Sequence, residues 1–323
     1  MNKTVTKKVV SGVLLLDKPT GMTSQQLVSK VKYLFKSDEH DSRKAGHTGT
    51  LDPLATGLLP ICLGEATKFS HYQLEAVKSY HAIIKLGEQT DTGDVDGQVI
   101  ATADVPSLSA DQLHRVSYDF IGELNQTPPM YSALKQQGKK LYELAREGIE
   151  VPRQARGIHI FELSLERHQH LHDTQNIYLG LSVTCSKGTY VRVLAEDIAK
   201  ALGTLGHLTA LRRLQTGGFM VADAISLEQL ERLSHVERLH LLLPIQACLP
   251  NDMMSIELDD KQVKRICQGQ RLRVFDDTAS KPHITIATEV KLLNKAKNKA
   301  QTFIGLGLLE PTGRLQPKRI INL

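Results

Sequence analysis

A chain of 323 residues, 41% of them apolar, can bury one large core and a smaller one, and this composition excludes a wholly disordered polymer. No apolar run approaches the length of a membrane-crossing helix, so no membrane role is expected. The net charge of +5 lies entirely in the last quarter: residues 251–323 hold 13 Lys and Arg against 8 Asp and Glu, and residues 1–250 balance at 27 against 27. That asymmetry suits a polyanion contact or a solvated basic surface.

Lys3, Lys7 and Lys8 before residues 9–16 superficially resemble a secretion signal, but the apolar run is short and Asp17-Lys18-Pro19 replaces a small-residue cleavage site. Residues 11–16 read as a buried strand ending at Pro19-Thr20-Gly21. Thr23 or Ser24 then caps a helix with Leu27, Val28, Val31, Leu34 and Phe35 along one face. Residues 37–44 are charged and aperiodic, which predicts a loop. A segment rich in Gly, Thr and Pro, residues 46–57, runs into a strand over 58–63. Tyr80, Ala82, Ile84 and Leu86 alternate as a strand.

Residues 127–156 begin with prolines and turn basic through Lys135, Lys139, Lys140 and Arg146, an excursion from the sheet. Phe161, Leu163 and Leu165 alternate, as do Ile177, Leu179, Leu181 and Val183, which predicts a hairpin with a polar tip. Leu194, Ala195, Ile198 and Leu202 mark a helix. Pro244 and Pro250 bracket a short linker, and strand-like runs at 272–275, 284–287 and 302–309 suit a small β-barrel or sandwich. Mixed elements followed by strands predict an α+β catalytic body and a second, unlike domain.

Chemistry concentrates in Ala45-Gly46-His47-Thr48-Gly49-Thr50-Leu51-Asp52-Pro53-Leu54-Ala55-Thr56-Gly57. Its glycines permit positive φ and close backbone approach, and Pro53 keeps Asp52 out of the helical region. An acid on a stiff turn suits catalysis, but the residues alone favour a turn in which Asp52 bonds its own backbone. A phosphate loop is disfavoured, because the segment has no G-x-x-x-x-G-K-[ST] pattern and no Lys or Arg. His168, His170 and His172 recur at period two, a spacing that could hold a metal, but they fall at the hairpin tip, where solvated side chains are expected. Asp91, Asp94, Asp96 and Gly97 partly match a calcium loop, with the wrong first spacing and no closing Glu. Cys62, Cys185, Cys248 and Cys267 follow no paired metal-ligand spacing, so reduced thiols in the cytoplasm are expected.

Five ordered segments together resemble the bacterial TruB-type tRNA pseudouridine synthases. They are Leu16-Asp17-Lys18-Pro19 with Gly21-Met22-Thr23-Ser24; the Asp52 segment; Lys78-Ser79-Tyr80 with Thr90-Asp91-Thr92-Gly93-Asp94; Cys185-Ser186-Lys187-Gly188-Thr189-Tyr190-Val191-Arg192; and Leu211-Arg212-Arg213-Leu214 with Gly217-Gly218-Phe219. The resemblance implies isomerisation of uridine-55 in the T loop of tRNA by base flipping, without cofactor or metal. It makes Asp52 the essential nucleophile or base and Arg192 the ion-pair partner that aims it. Tyr80 would lie against the flipped uracil, Tyr190 and Leu211 would contact the substrate, and His47 would fill the space the base vacates. Lys18 would support the Asp52 segment, and the acidic turn would lie nearby. Considered singly, Leu211 reads as core, Arg192 as a surface arginine and His47 as a turn histidine.

The same resemblance implies a pseudouridine-synthase domain over residues 1–248, with a mixed, mainly antiparallel sheet flanked by helices and an RNA-clamping insertion at about 125–156. Residues 249–323 resemble a β-barrel PUA-like RNA-binding module, with Asn294 to Lys299 unusually basic. The tRNA T arm would be the partner, with backbone contacts towards the acceptor side, and the protein would act as a monomer without an obligate protein partner. A guide-RNA-dependent subunit of the dyskerin type and a non-catalytic RNA-binding or folding protein are the alternatives.

Overall fold

The computed structural model describes residues 7–136, 138–169, 176–275, 284–295 and 301–322. Helix α1 (Ser24–Leu34) takes Thr23, of the two candidate residues, as its cap and closes a capping box: the Thr23 hydroxyl accepts from the Gln26 amide, and the Gln26 side chain accepts from the Thr23 amide. Its face of Leu27, Val28, Val31 and Leu34, with Phe35 at the C-cap, is buried. Each such side chain stabilises the fold by roughly 1.5–3 kcal/mol.

Ten strands form one sheet. They are β1 (Gly12–Lys18), β2 (Ala45–His47), β3 (Thr56–Leu63), β4 (Lys78–Leu86), β5 (Gly122–Gln126), β6 (Arg156–His168), β7 (Tyr178–Cys185), β8 (Gly206–Thr216), β9 (Phe219–Met220) and β10 (Ile225–Ser226). Their order is β10-β1-β3-β8-β4-β7-β6-β5, with β2 on β3 and β9 on β8. The β3/β8 and β10/β1 ladders are parallel, and the others antiparallel, so the sheet is mixed and mainly antiparallel. Around it lie α2 (Ser70–Glu75), α3 (Ala110–Asp119), α4 (Leu141–Arg146), α5 (Val191–Ala201), α6 (Leu227–Arg232) and α7 (His235–His240). Both faces of β1 are covered: Leu14 and Leu16 join the α1 and α5 side, and Val13 and Leu15 join a second cluster with Phe69 and Phe303. That explains a continuous apolar run in place of alternation.

The excursion after β5 leaves and re-enters the sheet at paired residues, Gln126 opposite Arg156. It contains a ribbon, Lys135–Gln136 against Lys139–Lys140, and then α4. The predicted hairpin is β6 and β7; its tip residues His170 and His172 lie outside the described residues, and His168 is exposed. Three expectations need correction. Residues 37–44 are not all loop, because His40–Asp41 pairs in parallel with Lys8–Val9. Phe161 is exposed: a bulge between Ile160 and Glu162 moves the buried set from Ile158 and Ile160 to Leu163. Residues 284–287 are not a strand, and Ile286 is 73% exposed.

The C-terminal strands are β11 (Ser255–Leu258), β12 (Leu272–Arg273), β13 (Thr288–Asn294), β14 (Thr302–Leu309) and β15 (Arg314–Ile320), in the order β11-β13-β14-β15-β12. Helix α8 (Asp260–Cys267), capped by Asp259, packs Val263 and Ile266 into their core. Where a small β-barrel or sandwich is expected, the described residues form a five-stranded sheet whose outer strands β11 and β12 do not pair with each other. This sheet docks on the first body through Phe303 against Phe69 (5.4 Å between centroids), Tyr72 Oη to Glu289 Oε2 (2.6 Å) and Lys68 Nζ to the Ile320 carbonyl (2.9 Å). The linker is packed rather than free: Ile245–Cys248 forms a 3-10 turn, with Cys248 and Leu249 buried. Among the described residues no helix is long and apolar enough to cross a membrane.

Candidate active site

Asp52 lies in the loop between β2 and β3, and its main chain is held from below. The Ser24 hydroxyl donates to the Leu51 carbonyl and accepts from the Leu51 amide, each at 2.9 Å. Lys18 Nζ, fully buried, donates to the carbonyls of Pro19 (2.9 Å), Pro53 (3.2 Å) and Ala55 (2.7 Å). Burial lowers the Lys18 pKa to about 8; the Asp52 charge opposes that shift and Arg213 adds to it. Lys18 thus ties the main chain on the C-terminal side of Asp52 to β1.

The Asp52 carboxylate meets Arg192 on α5, with Nη2 to Oδ2 at 2.9 Å. Arg192 is buried and held on three sides: Nη1 donates to the Thr92 carbonyl (2.6 Å), Nη2 to the Tyr131 carbonyl (2.7 Å), and Nε lies 3.6 Å from Asp94 Oδ2. One guanidinium therefore joins the Asp52 loop, the acidic turn and the insertion. Asp94 is fixed in turn, its Oδ1 accepting from Thr92 Oγ1 at 2.6 Å. The alternative of Asp52 bonding its own backbone through the carboxylate does not occur among the described residues.

Tyr80 stands on β4 opposite Arg213 of β8, and Arg213 stands opposite Gly57 of β3, which puts three site segments side by side. Directly opposed residues point to the same face, so Tyr80 and Arg213 share one. Burial raises the Tyr80 pKa, and the adjacent Arg213 charge works against that rise. His47 accepts from the Gly49 amide through Nδ1 at 3.4 Å, the turn contact that its position suggested. Burial, and secondarily the Arg213 charge, lowers the His47 pKa.

Tyr190 caps α5, and its backbone is clamped by Gln126 at both polar groups (2.7 and 3.1 Å), with the Arg156 guanidinium 5.1 Å over its ring. Leu211 is buried on β8 opposite Ala82. Neither makes a hydrogen bond or ion pair with Asp52 among the described residues. Sequence reasoning gave no individual role to Asp94, Lys78 or Arg213, and offered Ser24 only as a candidate helix cap. Arg213 had a signal: period two on a strand puts it on the same face as Leu211. Lys78 likewise alternates with Tyr80, and its Nζ is buried against the carbonyls of Gln73, Leu74 and Ala76. No group of three or more potential metal ligands converges among the described residues.

Three family models match in succession: the TruB family pseudouridylate synthase N-terminal domain over residues 37–191, the tRNA pseudouridylate synthase B C-terminal domain over 192–249, and the pseudouridine synthase II TruB C-terminal region over 255–321. The chain is 53% identical to the tRNA pseudouridine synthase B of Psychrobacter cryohalolentis, over 97% of this chain and 94% of that one. It is 45% identical to that of Nitrosococcus oceani, over 97% and 95%, and 42% identical to that of Methylobacillus flagellatus, over 98% and 97%. Its fold is similar to a chain of an H/ACA RNP bound to a substrate RNA containing 2'-deoxyuridine, with TM-score 0.66 and 20% identity, over 97% of this chain and 85% of that chain. A chain of a Cbf5-Nop10-Gar1 complex gives TM-score 0.64 and 23% identity, over 94% and 79%. With near-complete coverage by its bacterial relatives, the chain belongs to the TruB family of tRNA pseudouridine synthases.

Proposed function

We propose that the chain isomerises uridine-55 in the T loop of tRNA, with Asp52 as the reacting carboxylate, Tyr80 against the base and Arg192 as the group that aims Asp52. The reaction class follows from the family: a pseudouridine synthase is an isomerase that forms pseudouridine in tRNA. The bond from ribose C1′ to uracil N1 breaks, the base turns, and C1′ joins C5. C5 loses a proton and N1 gains one, so nothing is oxidised and no group departs. Asp52 either attacks C1′ or removes the proton from C2′. Both courses require an ionised carboxylate held at the ribose. The observation that carries this reading is the 2.9 Å pair between half-exposed Asp52 and buried Arg192.

Removing the base from its stack costs a few kcal/mol; His47 would fill the space that the base vacates, and Tyr190 and Leu211 would contact the flipped base. Residues 1–248 would form the catalytic domain, the insertion at about 125–156 would clamp RNA, and residues 249–323 would be the PUA-like module. Lysines and arginines there would touch phosphates towards the acceptor side; Arg314 is exposed, while Lys318 pairs with Glu289. The protein would act as a monomer in the cytoplasm, without an obligate protein partner.

The test incubates purified protein, and separately Asp52→Asn, with an unmodified tRNA transcript and no other protein. Pseudouridine at position 55 with the parent chain alone is the expected result. Product from both proteins would remove Asp52 from the mechanism, and product from neither would remove the stand-alone enzyme. Binding without conversion would favour an RNA-folding role, and conversion only with added guide RNA and proteins the dyskerin-type alternative.

A further inference from the structure

Arg213 heads the fully buried side chains by size, at 1% exposure, and lies beneath the candidate site without reaching the surface. A buried guanidinium is tolerated only where its donors are met. Nε donates to the Leu58 carbonyl at 2.7 Å and Nη2 to the Gly49 carbonyl at 3.2 Å. Those two carbonyls stand on either side of Asp52, at the two ends of the segment that carries it. The backbone of Arg213 pairs with Gly57 on one side and Tyr80 on the other. At Gly57 a Cβ would lie 2.7 Å from the Arg213 amide nitrogen, so strands β3 and β8 meet more closely there than any side chain allows. One residue thus fixes the Asp52 segment with its side chain and the Tyr80 strand with its main chain. Its charge is also felt at Tyr80, His47, Lys18 and Lys78.

We infer that Arg213 is a positioning residue for the isomerisation: its forked guanidinium closes the Asp52 segment and sets the separation between the Asp52 carboxylate and the Tyr80 ring. The inference rests on the roles proposed above for Asp52 and Tyr80. Arg213 then acts on the chemical step and leaves tRNA affinity nearly untouched, because it meets neither solvent nor RNA. Lysine at this position keeps the charge but loses the rigid planar fork, in which two separate nitrogens, Nε and Nη2, reach the Leu58 and Gly49 carbonyls.

Arg213→Lys is compared with the parent in single-turnover conversion of unmodified tRNA, with Kd measured separately and both proteins held well below their unfolding temperatures. The rate constant should fall about 10–100-fold, as expected for a small misplacement of reacting groups. Kd should stay within about threefold, a split that general loss of folded protein does not produce. Gly49→Ala is the second variant: it adds a methyl 3.4 Å from Arg213 Nη1, at a φ of +138°. If both act through one contact, the double variant loses no more rate than the worse single variant.

A folded Arg213→Lys protein converting tRNA within about twofold of the parent rate would overturn the proposal, as would losses that multiply in the double variant. If Arg213→Lys does not fold, Gly49→Ala decides: a lower rate at unchanged Kd supports the proposal, and an unchanged rate overturns it. Parent-level conversion by Asp52→Asn is a separate failure, since it removes the catalytic reading itself whatever Arg213→Lys does.

Discussion

Arg192 and Asp52 form an ion pair of unequal members: the arginine side chain is 7% exposed and the aspartate 40%. The cation is buried and bound to the Thr92 and Tyr131 carbonyls, while the carboxylate reaches outward from a loop pinned by Ser24 and Lys18. A carboxylate presented this way can meet a ligand without its partner moving, the arrangement that electrostatic preorganisation requires.

Replacing Arg192 by Lys keeps one charge and drops the fork. Conversion of unmodified tRNA at saturating substrate is expected to fall about 100-fold, with a smaller change in KM. Arg192→Met also leaves the buried Asp94 carboxylate without its cation and should cost about 3 kcal/mol of unfolding free energy. Steady-state kinetics and denaturant unfolding check the two effects. A lysine variant as fast as the parent would sink the aiming role.

Gly57→Ala tests the close approach of β3 to β8. The residue sits at φ +99°, and an added Cβ meets the Arg213 main chain, which cannot turn aside as a flexible side chain would. The expected loss is on the order of 3 kcal/mol or more. Alanine tolerated here within about 0.5 kcal/mol in denaturant unfolding would show that the two strands separate easily.

Lys18 gives a pH signature. Burial holds its pKa at about 8, against 10.5 for the free side chain. Between those values the unfolded chain binds the extra proton, so stability contributed by this group rises with pH across the window. The gap in unfolding free energy between the parent and Lys18→Met should therefore widen from about pH 8 towards 10.5. Lys78, also lowered to about 8 by burial, titrates in both proteins and cancels from the difference. A gap that stays flat or narrows over that range would contradict a buried, easily neutralised Lys18.

The cysteines should divide by accessibility. Cys62 and Cys248 are buried with their sulfurs 3.5 Å apart, and the hydrogen bond between them, with burial, raises the Cys62 pKa; burial also raises the Cys185 pKa, to about 11. Cys267 alone is exposed. Brief alkylation of the native protein, read by peptide mass spectrometry, should modify Cys267 and spare the other three until the chain unfolds. Rapid native labelling of Cys62 would show that the second core cluster opens readily.

What the sequence determined by itself was local. The capping box at Thr23, the apolar face of α1, the alternation of β4 and the extended turn imposed by Pro53 all depend on neighbours within a few residues, where propensity and sterics act directly. Five ordered motifs added the family and singled out Asp52, which local chemistry reads as a turn residue before a catalyst. Features that depend on register were not legible. The bulge after Ile160 reverses which residues face inward and exposes Phe161, and nothing in a two-residue period announces it. Cys62 and Cys248, irregular in spacing, become neighbours only when the second core cluster closes. Tertiary structure alone decided the surroundings of Asp52: the β3-β8-β4 order sets Gly57, Arg213 and Tyr80 in a row, and α5 brings Arg192 to the carboxylate. The reason is that a buried charge is stabilised by partners gathered from distant segments, and only the packed sheet assembles them.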